Sequence, residues 1–351
     1  MKKSIAVINT SLELFNLIEA IHYHQCTDNY LIVGHYNLLP DRIRKLKEVL
    51  KEPFIKKNFK KIYFLPSRVN SKSPFRFVEY LLGSLKLLFI FLFLNKIDYL
   101  FSGVHTNFYQ RQATFLVSSF NTSVELWLID EGVGVLQIVS QRNEVLSEEF
   151  LQKRRNKNWI MNYYRSIKKI DCQPPILHFF SAFDFPVKGK DVLIKNTMSY
   201  WKKNNPYTYK FKENAVVFIG QPLVEFKLTS LQTYKKLIAK IFQDVTDSYI
   251  YYFPHPAETR HVDLLPKNVE IVTHSIPVEL LLIGACIKSI IGFSSTALYN
   301  AAILNICPIT SYWIDTSDYL EVTNIGNINV EAIHTLRRTF EKVNIKIIPL
   351  S

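Results

Sequence analysis

Short apolar runs that stop abruptly at polar residues recur along this chain, and they restrict it to a fold built on buried parallel strands. Residues 124–129 run into Asp130, Glu131 and Gly132. Residues 249–254 deliver His255, and residues 289–293 deliver Ser294, Ser295 and Thr296 where a helix should begin. A strand covered by helices on both faces reads as a continuous apolar run, and its C-terminal edge is where such a sheet presents chemistry. An acid, a histidine and a hydroxyl cluster, each at a strand end, point to an α/β enzyme that handles an anionic leaving group.

The alternation extends along most of the chain. Strands are predicted over 4–8, 30–34, 61–65, 99–102 and 124–129, with helices over 11–24, 39–51 and 107–120. Residues 148–212 are irregular, rich in Lys, Asn and aromatics, and contain Pro174-Pro175. A second alternation places strands at 215–219, 249–253, 269–272 and 289–291 and helices at 231–243, 277–285 and 296–304. At 351 residues the chain exceeds one comfortable core. We therefore expect two Rossmann-like domains with a cleft between them, 1–212 including the basic connection and 213–351.

Charge narrows the partners. The formal net charge is +13, with basic residues concentrated at 42–61 and 153–169 and a weaker group at 188–212. Such a chain suits an anionic partner: a phosphorylated substrate, an acidic membrane surface or nucleic acid. Trp159, Tyr163 and Tyr164 interleave with the second basic segment, a mixture suited to a membrane interface, although a solvated basic face reads the same way. Nothing resembles an RNA-binding aromatic signature. The most apolar stretch, 80–94, is interrupted by Lys86 and is shorter than the roughly 20 residues of a spanning helix, so a buried or interfacial helix is expected. Cys26, Cys172, Cys286 and Cys307 have no paired spacing and read as buried free thiols of a cytoplasmic protein. The start, Met1-Lys2-Lys3 leading into a strand-like run, does not read as a signal peptide.

Each candidate residue has a plain structural alternative. Asp130, at a strand end before a glycine, can act as a general base or serve as a turn residue or helix cap. His255 lies between Pro254 and Pro256, which fix the backbone, so its ring is either aimed at a departing phosphate or simply part of a rigid loop. Ser294, Ser295 and Thr296 follow Gly292 and can form an anion site at a helix start or merely cap it. Glu279, early in the helix between the histidine and the serines, can take ribose hydroxyls or favour the first helical turn. No dinucleotide fingerprint, P-loop, metal-ligand spacing or Gly-x-Ser-x-Gly elbow is present, and Asp315 and Asp318 are spaced wrongly for a carboxylate clamp.

Asp130-Glu131-Gly132, His255-Pro256 and Ser294-Ser295 in this order resemble the motif set of bacterial sialyltransferases. Thr10 to Glu13 and Ile18 to His22 look like the first helix of the lipooligosaccharide sialyltransferases of glycosyltransferase family 52. Phe218-Ile219-Gly220-Gln221-Pro222-Leu223 looks like the strand that opens that family's nucleotide-binding domain. The polysialyltransferases of family 38 carry the same three motifs. One departure stands out: Thr10-Ser11-Leu12-Glu13, where the family more often has Thr-Pro-Leu-Gln.

The resemblance implies a GT-B architecture and inverting, metal-independent transfer of sialic acid from CMP-sialic acid, a substrate rather than a cofactor, to a sugar hydroxyl. It implies Asp130 as base, His255 as phosphate ligand and acid, and a donor site including Gly220, Gln221, Pro256, Glu279, Ser294, Ser295 and Thr296. Its implied partners are a nucleotide-sugar donor, a glycan acceptor on lipooligosaccharide or capsule, and an anionic inner-membrane surface, not nucleic acid; a homodimer is left open. Another donor such as UDP-glucose, or a non-catalytic nucleotide-binding protein, is the alternative.

Overall fold

The structure, a computed structural model, describes residues 1–34, 40–66, 76–94, 96–103, 108–120, 123–130, 132, 134–145, 174, 176–225, 228–245, 248–258, 265, 269–314 and 330–350. Glu131, Cys172, Asp315, Asp318 and the basic segment 153–169 lie outside these residues.

The chain forms two compact units, Met1–Tyr200 and Trp201–Ser351. The first contains β1 (Lys2–Ile8), α1 (Ser11–Tyr23), β2 (Cys26–Val33), α2 (Pro40–Val49), α3 (Pro53–Lys56), β3 (Lys61–Phe64), α4 (Arg76–Phe93), β4 (Tyr99–Ser102), α5 (Phe108–Phe120), β5 (Glu125–Ile129), α6 (Gly134–Val145), β6 (His178–Ser181) and β7 (Leu193–Lys195). Its seven strands lie in the order β3-β2-β1-β4-β5-β6-β7, all neighbours parallel. The central strands carry Ile5, Val7, Leu31, Ile32, Leu100, Phe101, Leu128 and Ile129, all essentially without exposure. That double-sided burial is why they read as unbroken apolar runs.

Helix α7 (Ser199–Asn204) spans the division between the units. The second unit continues with β8 (Val216–Ile219), α8 (Leu231–Gln243), β9 (Ile250–Phe253), β10 (Val269–Ile271), α9 (Val278–Leu282), β11 (Ser289–Gly292), α10 (Thr296–Leu304), β12 (Ile309–Ile314), α11 (Val330–Glu341) and β13 (Lys346–Leu350). The strand order is β10-β9-β8-β11-β12-β13, again parallel throughout. Both sheets have the Rossmann order, in which the chain reverses direction at β1/β4 and at β8/β11, and ligands bind beyond the strand C-termini at such a point.

Several elements differ from the sequence expectation. The stretch 148–212, read as irregular, contributes β6, β7 and α7, and 201–212 packs with the second unit: Asn205 Nδ2 donates to Leu280 O at 2.7 Å and Lys212 N to the Tyr251 hydroxyl at 3.1 Å. β6 and β7, four and three residues long, sit inside a Lys-, Asn- and Pro-rich stretch; the pairing of β6 with β5 and of β7 with β6 defines them. β12, α11 and β13 were likewise not expected. The thiols are not uniformly buried either: Cys26 is buried, but Cys286 is exposed in the loop before β11 and Cys307 is half-buried. Helix α4 is not a buried helix, because one of its faces is open.

Two polar contacts brace the first unit. Arg142 of α6 and Asp191 before β7 form a bidentate pair with almost no exposure, and Asp191 also accepts from Leu177 N at 2.9 Å. At the same, N-terminal edge of the sheet, His24 sits among Tyr99, Trp127 and Phe101 with ring centroids at 4.9, 4.5 and 5.7 Å. Its Nε2 has no hydrogen-bond partner among the described residues, and burial pushes its pKa down to about 4.

The folded state thus favours neutral His24, and the stability this contributes is complete above the ordinary histidine value of 6.5 and lost as pH falls toward about 4. His24→Phe should flatten the pH dependence of the melting temperature between these limits. Parallel wild-type and variant profiles would remove His24 from the acid response.

Candidate functional site

In the first unit the candidate site forms where β1 and β4 diverge and at the neighbouring end of β5. Thr10 caps α1 and closes a capping box with Glu13, whose carboxylate is fully buried. Glu13 accepts from Asn9 N, from Thr10 N at 3.0 Å and from Gln110 Nε2 at 3.0 Å. Gln110 also donates to Val7 O at 3.0 Å and accepts from Asn9 Nδ2 at 3.1 Å. Gly103, just past β4, has no room for a Cβ, which would collide with the Glu13 carboxylate. The Glu13 that departs from the resembled pattern is thus a positioning residue: a glutamine there would offer one acceptor oxygen to three donors.

Asp130 follows β5 and is 4% exposed. Its Oδ2 accepts from Ala182 N at 2.6 Å, its carbonyl from Asn16 Nδ2 at 3.0 Å, and Oδ1 has no hydrogen-bond partner among the described residues. Asn16 is itself aligned by Asn196 Nδ2 at 3.1 Å. Burial pushes the Asp130 carboxyl up to about 7, against the lowering pull of the Ser181 hydroxyl, the Ala182 N–H and the Lys195 charge. Gly132 adopts φ 89°, a conformation glycine reaches without strain, so the chain turns away directly after the acid. A carboxylate with one oxygen anchored, one oxygen unpaired and a pKa near neutrality is equipped to accept a proton from a hydroxyl.

In the second unit the predicted residues converge around the β8/β11 reversal. Gln221 Nε2 donates to Ser294 O at 2.7 Å, tying the two strand ends together. A Cβ on Gly292 would stand 2.6 Å from Ile219 O, so only glycine permits this pairing. Ser295 is buried and its hydroxyl accepts from Ala297 N at 3.3 Å, so it acts as the cap of α10; Ser294 and Thr296 are half-buried. Glu279, at the start of α9, is 7% exposed and accepts from Asn300 Nδ2 at 3.0 Å. Burial raises its pKa, and Asn300 pulls it back. One helix, α10, therefore carries both the hydroxyl cluster and the residue that holds Glu279.

His255 lies beyond β9, with its Nδ1 accepting from Ala257 N at 3.1 Å. The neutral ring therefore carries its proton on Nε2, which makes that nitrogen a donor. Pro256 beside it is exposed. Glu258 was given no role from sequence, yet it organises this loop. Its Oε2 accepts from His255 N at 2.5 Å, and its Oε1 from Tyr252 at 2.7 Å and Tyr234 at 3.1 Å. A Cβ on Gly220 would collide with Glu258, so the glycine after β8 is the space this carboxylate occupies. The only signal in the sequence was its place three residues after His255, which is not a distinctive spacing. Among the described residues no group of three or more His, Cys, Asp or Glu could hold a metal ion.

The family model described as alpha-2,8-polysialyltransferase (POLYST) matches residues 7–313, through both sheets and all three motifs. The chain belongs to that family. No curated protein sequence matches it. Among solved structures it is similar to Arabidopsis thaliana UGT89C1 complexed with UDP-L-rhamnose, with 9% identity, TM-score 0.50, and 99% of this chain and 84% of that one covered. It is also similar to the glycosyltransferase SnogD from Streptomyces nogalater, with 13% identity, TM-score 0.49 and coverages of 99% and 96%. The E. coli heptosyltransferase WaaC with ADP gives 10%, 0.42, 97% and 99%. The likeness to UGT89C1 is one of fold, and with the two Rossmann-like units it makes this family member a glycosyltransferase of GT-B type.

Two outcomes follow from the carboxylates of Asp130 and Glu258. The folded protein holds a proton on Asp130 that the unfolded chain releases between the ordinary value of 3.8 and about 7. Stability should therefore fall as pH rises through this window, and the melting temperature of Asp130→Asn should gain on wild type over the same range. A constant difference from acid to mild base would contradict the raised pKa. Glu258→Gln should lose about 1–3 kcal/mol in denaturant unfolding, since one amide oxygen cannot serve three donors. Stability equal to wild type would show the loop is held otherwise.

Proposed function

We propose that this enzyme transfers sialic acid from CMP-sialic acid to a sugar hydroxyl with inversion and without a metal. The family match over residues 7–313 carries the reading. The geometry supports its division of roles: the base in the first unit, the donor site in the second. Asp130 Oδ1 takes the proton of the acceptor hydroxyl. The freed oxygen attacks the anomeric carbon, whose bond to the CMP oxygen breaks, and CMP leaves with the electron pair. His255 Nε2–H donates to the departing phosphate, and Ser294, Thr296 and the start of α10 stabilise its charge, while Ser295 and Gln221 hold the strand ends. Glu279 takes the ribose. Gly220 and Pro256 leave space for, and stiffen, the His255 loop.

The family's name makes an α2,8-linked sialic acid the first acceptor to test, before the terminal galactose of a lipooligosaccharide. The acceptor in this reading is lipid-linked and met at the cytoplasmic face of the inner membrane.

The decisive assay offers CMP-sialic acid and UDP-glucose separately, with sialyl and galactosyl acceptors and with EDTA present. Transfer from the CMP donor in chelator is expected; activity only with the UDP-sugar, or only after metal is restored, overturns the reading. Asp130→Asn should lower kcat by about 10²–10⁴-fold with CMP affinity retained. Since the base works ionised, wild-type kcat/KM should rise with pH through about 7. His255→Ala should weaken both CMP binding and turnover, and calorimetry giving wild-type affinity would remove it from the phosphate site.

A further inference from the structure

Helix α4 breaks the usual rule for a surface helix, which puts polar residues on its outer face. Its inner face, with Ser84, Leu87 and Ile90 buried, packs on the first unit, and Gly83 leaves space for Tyr109 of α5. Its outer face carries Val78, Leu81, Leu82, Leu85, Phe89, Leu92 and Phe93, exposed by 40–81%. The spacing runs 78, 81/82, 85, 89, 92/93, one continuous stripe along a helix about 27 Å long. A contiguous apolar patch of this kind marks an interaction surface. No helix of the described residues is long and apolar enough to cross a membrane.

Charge beside the stripe selects the partner. Lys86 lies within it and donates from Nζ to Phe64 O at 2.9 Å. Lys47 of α2 also reaches the Phe64 ring, Nζ 5.9 Å from the centroid, and Phe64 is itself 39% exposed. Helix α2 thus brings its basic sequence, with Arg44, Lys45 and Lys47, next to the apolar stripe. A second copy docked on this face would bring two Lys86 side chains and two chains of net charge +13 together. An anionic bilayer attracts the lysines and accepts the leucines and phenylalanines in its interfacial zone.

We propose that the outer face of α4 inserts into the interfacial zone of an anionic lipid bilayer, flanked by Lys47 and Lys86. The proposal deepens the membrane contact of the preceding section and rests on that reading for the location of the acceptor, not for the chemistry. It adds an apolar, salt-resistant component to what basic segments alone would give.

The test is co-sedimentation of the full chain with phosphatidylethanolamine/phosphatidylglycerol vesicles and with phosphatidylcholine vesicles, at low and high salt. Transfer to a soluble acceptor and oligomeric state by light scattering are measured alongside. Wild type should bind the anionic vesicles at low salt and keep a bound fraction at high salt. Phe89→Ser/Phe93→Ser should lower the high-salt partition by about a hundredfold or more, because each inserted aromatic contributes about tenfold or more. Soluble transfer should not change. Leu82→Ser/Leu85→Ser, elsewhere on the stripe, should act in the same direction. Vesicle binding unaltered by both variants, or no binding by wild type, overturns the proposal. A lipid-free dimer that either variant converts to monomer would assign the face to a second copy instead. Loss of soluble transfer in wild type would count against the proposed chemistry, not against this surface.

Discussion

Carboxylates held nearly out of water at the C-terminal edges of two parallel sheets set the terms for the rest of this molecule. Glu13, Asp130 and Glu279 are each less than a tenth exposed. A buried carboxylate is tolerated only when N–H and O–H donors surround it, or when it keeps its proton. Glu13 takes the first route completely, with N–H donors from Asn9, Thr10 and Gln110, and it fixes the turn from β1 into α1. Asp130 takes it by half: one oxygen is anchored by Ala182, the other has no hydrogen-bond partner among the described residues, and burial pushes the carboxyl up to about 7. The difference separates a structural acid from one suited to proton transfer.

The same constraint explains the glycines at these edges. Gly103 and Gly220 lie where a Cβ would strike the carboxylates of Glu13 and Glu258, and Gly292 where one would strike the neighbouring strand. None of the three needs glycine for a positive φ. Each is glycine because a second piece of chain passes too close for a side chain. Around Gly220 the consequence is a chain of contacts from Tyr234 and Tyr252 through Glu258 to the backbone of His255, which leaves the histidine with its Nε2 proton. The two prolines stiffen the loop, but Glu258 places it.

Helix α4 shows the limit of reading hydrophobicity alone. Its sequence is apolar nearly all round, which a buried core helix and an interfacial helix share. Only packing against α5 on one side, with the other side open, distinguishes them.

Much of the fold was legible because burial on two faces imposes unbroken apolar runs, and β1, β4, β5, β8, β9 and β11 stand within a residue or two of their expected places. The strand-end residues Asp130, His255 and Ser294 were legible for the same reason, since an abrupt polar stop marks a sheet's C-terminal edge. The strands β6 and β7 were not, because they lie in a stretch whose Lys, Asn and Pro content reads as an irregular connection, and only the pairing of β6 with β5 and of β7 with β6 makes them strands. Nor was Glu258, whose role depends on Tyr234 and Gly220, distant in sequence and brought near only by the order β9-β8-β11. The sequence by itself determined which residues stand at the strand ends, through local hydrophobic pattern. Tertiary structure decided which of their oxygens and nitrogens are held by hydrogen bonds, because that depends on donors and acceptors supplied by other strands and helices.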